Sequence, residues 1–257
     1  MGYGVIGTII CDLDGVVYLG DEEVPGAGQA LRRLETGGYR LLFATNNSSR
    51  TRAEGASKIA RVTGYRCAPE QFVSSATAAG GMLRPEDGPA FVVGGPGVRE
   101  AVAEAGVGVT DDPLAARVVL IGLDVDLTYG KLAAATRAVR NGARLLATNH
   151  DATYPTPDGL LPGAGSLAAA LETATDVTAD VAGKPFAPMR RILGAMAADG
   201  KVWMVGDRAD TDLAMANDEG WTSVLVLTGV VTDPASVDPP PDVVLASIAD
   251  LPGHLGL

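Results

Sequence analysis

The sequence predicts an α/β fold: a parallel sheet with helices on both faces, assembled from the two ends of the chain, with a second α/β domain inserted between them. Three observations carry this prediction. Strand-like and helix-like segments alternate from the amino end onward. The strand segments are continuous apolar runs rather than in/out alternations, the pattern of strands covered on both faces. The same alternation resumes after residue 183, behind a middle section with strands and helices of its own.

Taken in order, "GVIGTIIC" reads as a first strand and "GAGQALRRLETGG" as a helix stopped by two glycines. "YRLLFATNN" is the next strand. "TRAEGASKIARVTG" is a helix opened by a Thr51/Glu54 capping box and stopped at Gly64. The middle section holds the strands "AFVVGG", "RVVLIGLD" and "ARLLATNH" and the helices "YGKLAAATRAVRNG" and "GSLAAALETAT". "VVGGPGVRE" lacks the Gly-Lys-Ser/Thr ending of a phosphate loop and reads as a strand and turn. After residue 183 come "PMRRILGAMAADG", "KVWMVGD", "TDLAMANDEG" and "SVLVLTG", then a tail expected to add an edge strand and a short helix. The predicted division is a core of 1–79 and 183–257 around an insertion of 80–182.

Bulk properties narrow the function classes. With 257 residues, 47% of them hydrophobic, the chain can bury one large core or two modest ones. Its 20 Lys plus Arg face 31 Asp plus Glu, a net charge of -11 that repels nucleic-acid phosphates and anionic membranes, and no basic run overrides it. Neither nucleic acid nor membrane is an expected partner. Two cysteines cannot form a disulfide framework and no charged n-region opens the chain, so a reducing cytoplasm is expected, with Cys11 an inert core thiol.

Chemistry concentrates where strands end. In open parallel sheets ligands bind beyond the carboxyl ends of the strands. Asp12 and Asp14 sit at such an end, on one face of the strand unless a turn at Gly15 rotates the second away. Paired carboxylates repel, a cost tolerated where a divalent cation or a proton offsets it; a lone aspartate there could equally cap a turn. Thr45, Asn46 and Asn47 close another strand with donors suited to an anion or to a helix cap. Lys184 follows a third. Asp207 follows a fourth, with Asp210 and Asp212 beyond it and Asp210 readable as a cap or surface charge. Three or four acids, a lysine and a threonine at strand ends of one sheet make a metal and phosphate site.

In this order, "DLDGVVY", "ATNNSSR", "GKP" and "VGDRADTD" resemble the four motifs of the haloacid dehalogenase (HAD) superfamily of phosphatases. The large insertion with "NHDATYPTPDGLLPGAGSLAAAL" resembles subfamily IIA, which includes p-nitrophenyl, phosphoglycolate and glycerol-phosphate phosphatases. The resemblance implies a Rossmann-like core and an α/β cap domain. It implies a Mg²⁺-dependent phosphatase of small phosphate monoesters, a phosphoric monoester hydrolase. Asp12 would be the nucleophile forming an aspartyl phosphate, and Asp14 the general acid and base. Mg²⁺ would be held by Asp12, the Asp14 backbone carbonyl and Asp207, with Asp212 behind them, orienting waters or Lys184. Thr45, the Asn46 backbone and Lys184 would neutralise the phosphoryl oxygens.

The second "ATN", Thr148 and Asn149, falls in the insertion and is not assigned to phosphate. The resemblance makes Asn149, Asp151 and Tyr154 candidates for reading the leaving group. His150 and His254 are not spaced for a metal or a triad. The expected substrate is a glycerol phosphate, phosphoglycolate, sugar phosphate or p-nitrophenyl phosphate. A nucleotide or pyridoxal phosphate is the alternative, and pairing of two copies through the cap is a fair expectation from the family. A signalling receiver that stores phospho-aspartate without turnover gathers similar residues, but Asp14 and the large insertion speak against it.

Overall fold

The computed structural model describes residues 5–156 and 159–257. In chain order, β1 (Gly7–Cys11) leads through a small antiparallel hairpin, β2 (Tyr18–Leu19) with β3 (Glu22–Glu23), to α1 (Ala27–Thr36), β4 (Tyr39–Thr45), α2 (Arg52–Thr63) and β5 (Phe72–Ser74). Next come α3 (Ser75–Gly80), β6 (Ala90–Val93), α4 (Pro96–Glu104), β7 (Val118–Ile121), α5 (Tyr129–Arg140), β8 (Arg144–Ala147), β9 (Thr153–Thr156), β10 (Gly159–Pro162), α6 (Ala164–Thr175), β11 (Asp180–Val181) and α7 (Ala187–Met196). The chain closes with β12 (Lys201–Gly206), α8 (Ala214–Glu219), β13 (Thr222–Val226), β14 (Val243–Leu245) and α9 (Leu251–His254).

Two compact units emerge: Met1–Thr45, Ala53–Val73 and Arg190–Leu257 form the first, Asn46–Arg52 and Ser74–Met189 the second. The first is organised on a six-stranded sheet in the order β14-β13-β12-β1-β4-β5. All five residues of β1 are buried, which is why its sequence is apolar throughout rather than alternating. β1 runs parallel to both neighbours, with Cys11 opposite Phe43 on one side and Val205 on the other. The chain turns to β4 and β5 on one side and returns later on the other, so the sheet reverses strand order beside β1, the place where open α/β sheets leave a crevice. Helix α1 buries Ala27, Ala30, Leu31 and Leu34, one stripe at helical spacing, and stops where Gly38 adopts a left-handed φ of 92°. Its leucines join Ile9, Leu41, Phe43 and Val205 in one apolar cluster.

The second unit has its own parallel sheet, β11-β8-β7-β6, and its own cluster, in which Val119, Ile121 and Leu145 pack with Ala135 and Ala138 of α5 and Leu171 of α6. A β9–β10 hairpin stands apart as a two-stranded antiparallel pair. One expectation is corrected here: the strand of "VVGGPGVRE" is β6, but the residues beyond it form a helix rather than a turn. Pro96 opens α4, where a missing N–H costs nothing, and Val98, Ala101 and Val102 are buried at helical spacing. No described helix is long and apolar enough to cross a membrane.

Candidate active site

In the first unit, Thr45 ends β4 while Asp12 and Asp207 directly follow β1 and β12, so three adjacent strands of the sheet deliver one polar residue each at the same edge. All three are buried. The Asp12 amide donates to the Val205 carbonyl at 2.8 Å, extending the β1–β12 ladder by one residue and fixing where its side chain departs. Asp212 lies on the wide helical turn Ala209–Leu213 between β12 and α8, with no exposed surface. Its Oδ2 accepts the Arg208 N–H at 3.3 Å, which folds the turn back on the strand end. One carboxylate oxygen each from Asp12, Asp207 and Asp212 lie within 4.8 Å of one another.

That cluster is a set of hard oxygen donors with the charge and spacing a small divalent cation accepts, and the chain packs to make it. A Cβ on Gly229 would come 1.9 Å from Asp207 Oδ2, and one on Gly15, whose φ is 88°, would come 2.5 Å from the same oxygen. Only glycine lets backbone approach so closely. Asp207 Oδ2 also accepts the Val230 N–H at 2.7 Å, and the Thr228 hydroxyl donates to the Gly15 carbonyl at 2.6 Å. The β13–β14 connection thus clamps both the Asp207 carboxylate and the turn after Asp14. Sequence reasoning missed Thr228, Gly229 and Val230; their one signal was the "LTG" ending of an apolar strand, which repeats the strand-end theme without an ionisable residue.

Asp14 is half-buried and is not among the three carboxylates of the cluster, and Gly15 beside it adopts a left-handed φ of 88°. Asp210 is exposed and pairs with Arg208 at 2.8 Å, a surface ion pair of small energetic weight. Cys11 is fully buried and its thiol is pushed far above the usual range by desolvation, then by Asp12 beside it; the Cys67 thiol is pushed up to about 11, chiefly by burial. Neither is poised as a nucleophile.

The second unit holds the remaining candidates. Lys184 is buried, preceding a cis bond to Pro185 and the start of α7 at Ala187. Its backbone is gripped by Asn46: Asn46 Oδ1 accepts the Lys184 N–H at 2.8 Å and Nδ2 donates to the Lys184 carbonyl at 3.1 Å. Asn149, also buried, donates to the Asn46 carbonyl at 2.6 Å. Asp151 accepts from Asn46 Nδ2 at 3.1 Å, and half-buried Tyr154 pairs with Leu161 across the β9–β10 hairpin. His150 lies 3.6 Å from Glu172 at the surface and His254 stands edge-on to Trp203, so both are structural or surface groups.

Comparison with known proteins places the chain in a family. A family model of haloacid dehalogenase-like hydrolases matches residues 9–108, and a second model of HAD-like hydrolases matches 181–251. The acid sugar phosphatase of Staphylococcus haemolyticus is 38% identical over 227 residues, 87% of this chain and 86% of the relative. Chronophin of Rattus norvegicus is 41% identical over 238 residues, 86% of this chain and 76% of the relative. The crystal structure of glycerol phosphate phosphatase Rv1692 from Mycobacterium tuberculosis in complex with magnesium superposes with a TM-score of 0.86 at 34% identity, over 96% of this chain and 76% of that one.

Proposed function

Since the chain belongs to the haloacid dehalogenase superfamily, in subfamily IIA, and is a phosphatase of small phosphate monoesters, we propose that it works through an aspartyl phosphate formed on Asp12. The observation that carries this reading is the buried Asp12–Asp207–Asp212 cluster beyond the carboxyl ends of β1 and β12. An Asp12 carboxylate oxygen attacks phosphorus as the P–O bond to the leaving group breaks, and the departing alkoxide takes a proton from Asp14. The Asp14 carboxylate then accepts a proton from a water that attacks the same phosphorus, freeing phosphate and regenerating Asp12. Splitting one hard displacement into two is the gain from covalent catalysis.

Asp14 suits proton transfer because it is half-buried and its carboxylate lies outside the cluster that would hold the cation. The hydroxyl of Thr45, the backbone of Asn46 and the ammonium of Lys184 are proposed to hold the equatorial phosphoryl oxygens as negative charge spreads over them. Mg²⁺ fits Asp12 and Asp207, with the Asp14 carbonyl and Asp212 as further oxygen donors. When bound, it neutralises phosphoryl charge and holds the nucleophile and the ester in register. Asp212 was expected only behind the ligands; membership of the cluster makes it a candidate ligand.

We propose residues 80–182 as the inserted domain that chooses the substrate, with Tyr154 on its hairpin as one reader of the leaving group. Glycerol phosphate, sugar phosphate and phosphoglycolate are the favoured class; nucleotides or pyridoxal phosphate are the alternative. A panel of these esters, scored by phosphate release, decides among them. The mechanism is tested by Asp12→Asn, which keeps shape and removes the nucleophilic charge. Turnover of p-nitrophenyl phosphate should fall to background with the circular dichroism spectrum unchanged. Normal turnover by the variant would refute Asp12 as nucleophile.

A further inference from the structure

The sequence carries "ATN" twice, and the second copy, ending at Asn149, has no role in the chemistry above. Its side chain is nonetheless fully committed. Asn149 Nδ2 donates to the Asn46 carbonyl at 2.6 Å, where the Ser75 hydroxyl also donates at 2.5 Å. Asn149 Oδ1 accepts the Asp151 N–H at 3.0 Å, and Asp151 Oδ1 accepts from Asn46 Nδ2 at 3.1 Å. The ring closes on Asn46, whose carboxamide grips the N–H and the carbonyl of Lys184. An amide can face either way round, and here the Lys184 N–H, which only donates, takes Oδ1, while the Lys184 carbonyl, which only accepts, takes Nδ2. The Lys184 backbone is therefore held by the Asn46 side chain, whose carboxamide is held by Asp151 and whose backbone carbonyl is held by Asn149.

We propose that Asn149 is a positioning residue for the phosphatase reaction, acting through Asn46 to set the backbone from which the Lys184 ammonium reaches the phosphoryl group. This rests on the reading of Lys184 as a phosphate-binding residue. It departs from the expectation that Asn149 reads the leaving group, because its donor and its acceptor are both used inside the ring.

A double-mutant cycle on p-nitrophenyl phosphate separates the two roles. Asn149→Ala should lower kcat/KM by about 10²-fold, the scale of loss expected from a small misplacement of a catalytic group. Lys184→Met should lower it at least as far. The combined variant should be no worse than Lys184→Met alone, because one residue acts through the other. Losses that multiply would overturn the proposal, as would an Asn149→Ala enzyme with wild-type kcat/KM. A Lys184→Met enzyme that turns over normally would overturn the phosphate-binding reading itself, and the proposal with it, so the two failures are distinguishable. Should Asn149→Ala fail to fold, Ser75→Ala removes the other donor to the Asn46 carbonyl and goes through the same cycle with the same expectations.

Discussion

Gly229 touches no reacting atom in the scheme above, yet a single methyl there is expected to be costly. An added Cβ would sit 1.9 Å from Asp207 Oδ2, so the carboxylate must swing away and surrender the bond it accepts from the Val230 amide. Gly229→Ala should therefore raise the Mg²⁺ concentration needed for half-maximal activity by about 10- to 100-fold, the scale of loss when a ligand's supporting shell is disturbed. A Mg²⁺ titration of activity checks it, and an unchanged midpoint would remove Asp207 from the cation site. At this scale the acids of the cluster were legible, because Asp12 and Asp207 carry charge at strand ends, whereas Lys184, expected at an end of the same sheet, follows β11 of the second sheet. Gly229 and Val230 were not legible, since a bare backbone and an amide N–H leave no signature in a residue pattern. Asn149 was expected to read the leaving group, and its bonds to Asn46 and Asp151 were not legible, because spacing places a residue near a site and does not say which groups its amide will meet.

Elements were legible in proportion to length and periodicity. Helix α1 presents a stripe of buried residues at helical spacing, and the central strand β1 is buried from end to end. Leu31 in that stripe has no exposed surface, and Leu31→Ala should destabilise the fold by about 2–5 kcal/mol, since the rigid sheet beneath cannot collapse fully into the vacated space. Urea denaturation measures the loss, while kcat per folded molecule should stay at the wild-type value. What escaped were β2, β3, β5, β9, β10 and β11, strands of two to four residues set by their partners rather than by propensity, the short α3, and α4, whose opening Gly-Gly-Pro reads locally as a turn until the buried valines behind it are counted.

For the whole molecule, the alternation of segments identified the fold class because every strand and helix of an α/β domain must find a covered face, and few arrangements allow it. The way the chain is shared between units was beyond it: Thr45 falls in the first and Asn46 in the second, where Asn46 is bonded by Asn149 about a hundred positions away, a partnership no local pattern encodes. The molecule's acidity carries a further expectation. Three carboxylates gathered in the native state repel one another within a chain already at -11, so a bound cation should stabilise it. Mg²⁺ at about a hundred times its Kd should add roughly 2.7 kcal/mol and raise Tm by several degrees. Asp207→Asn should make Tm nearly indifferent to Mg²⁺ in calorimetry. A wild-type Tm that ignores Mg²⁺ would count against the cation site as a whole. The sheet order also constrains how the protein is made. Gly7 pairs with Tyr39 on one side and with Lys201 on the other. A growing chain leaving the ribosome can satisfy the first edge of β1 once β4 is made, but the second stays open until β12 follows the whole second unit. The strand that leads to Asp12 is thus paired on one side long before it is enclosed on the other. For that interval its free, apolar edge is the part of the nascent molecule most in need of protection from wrong partners.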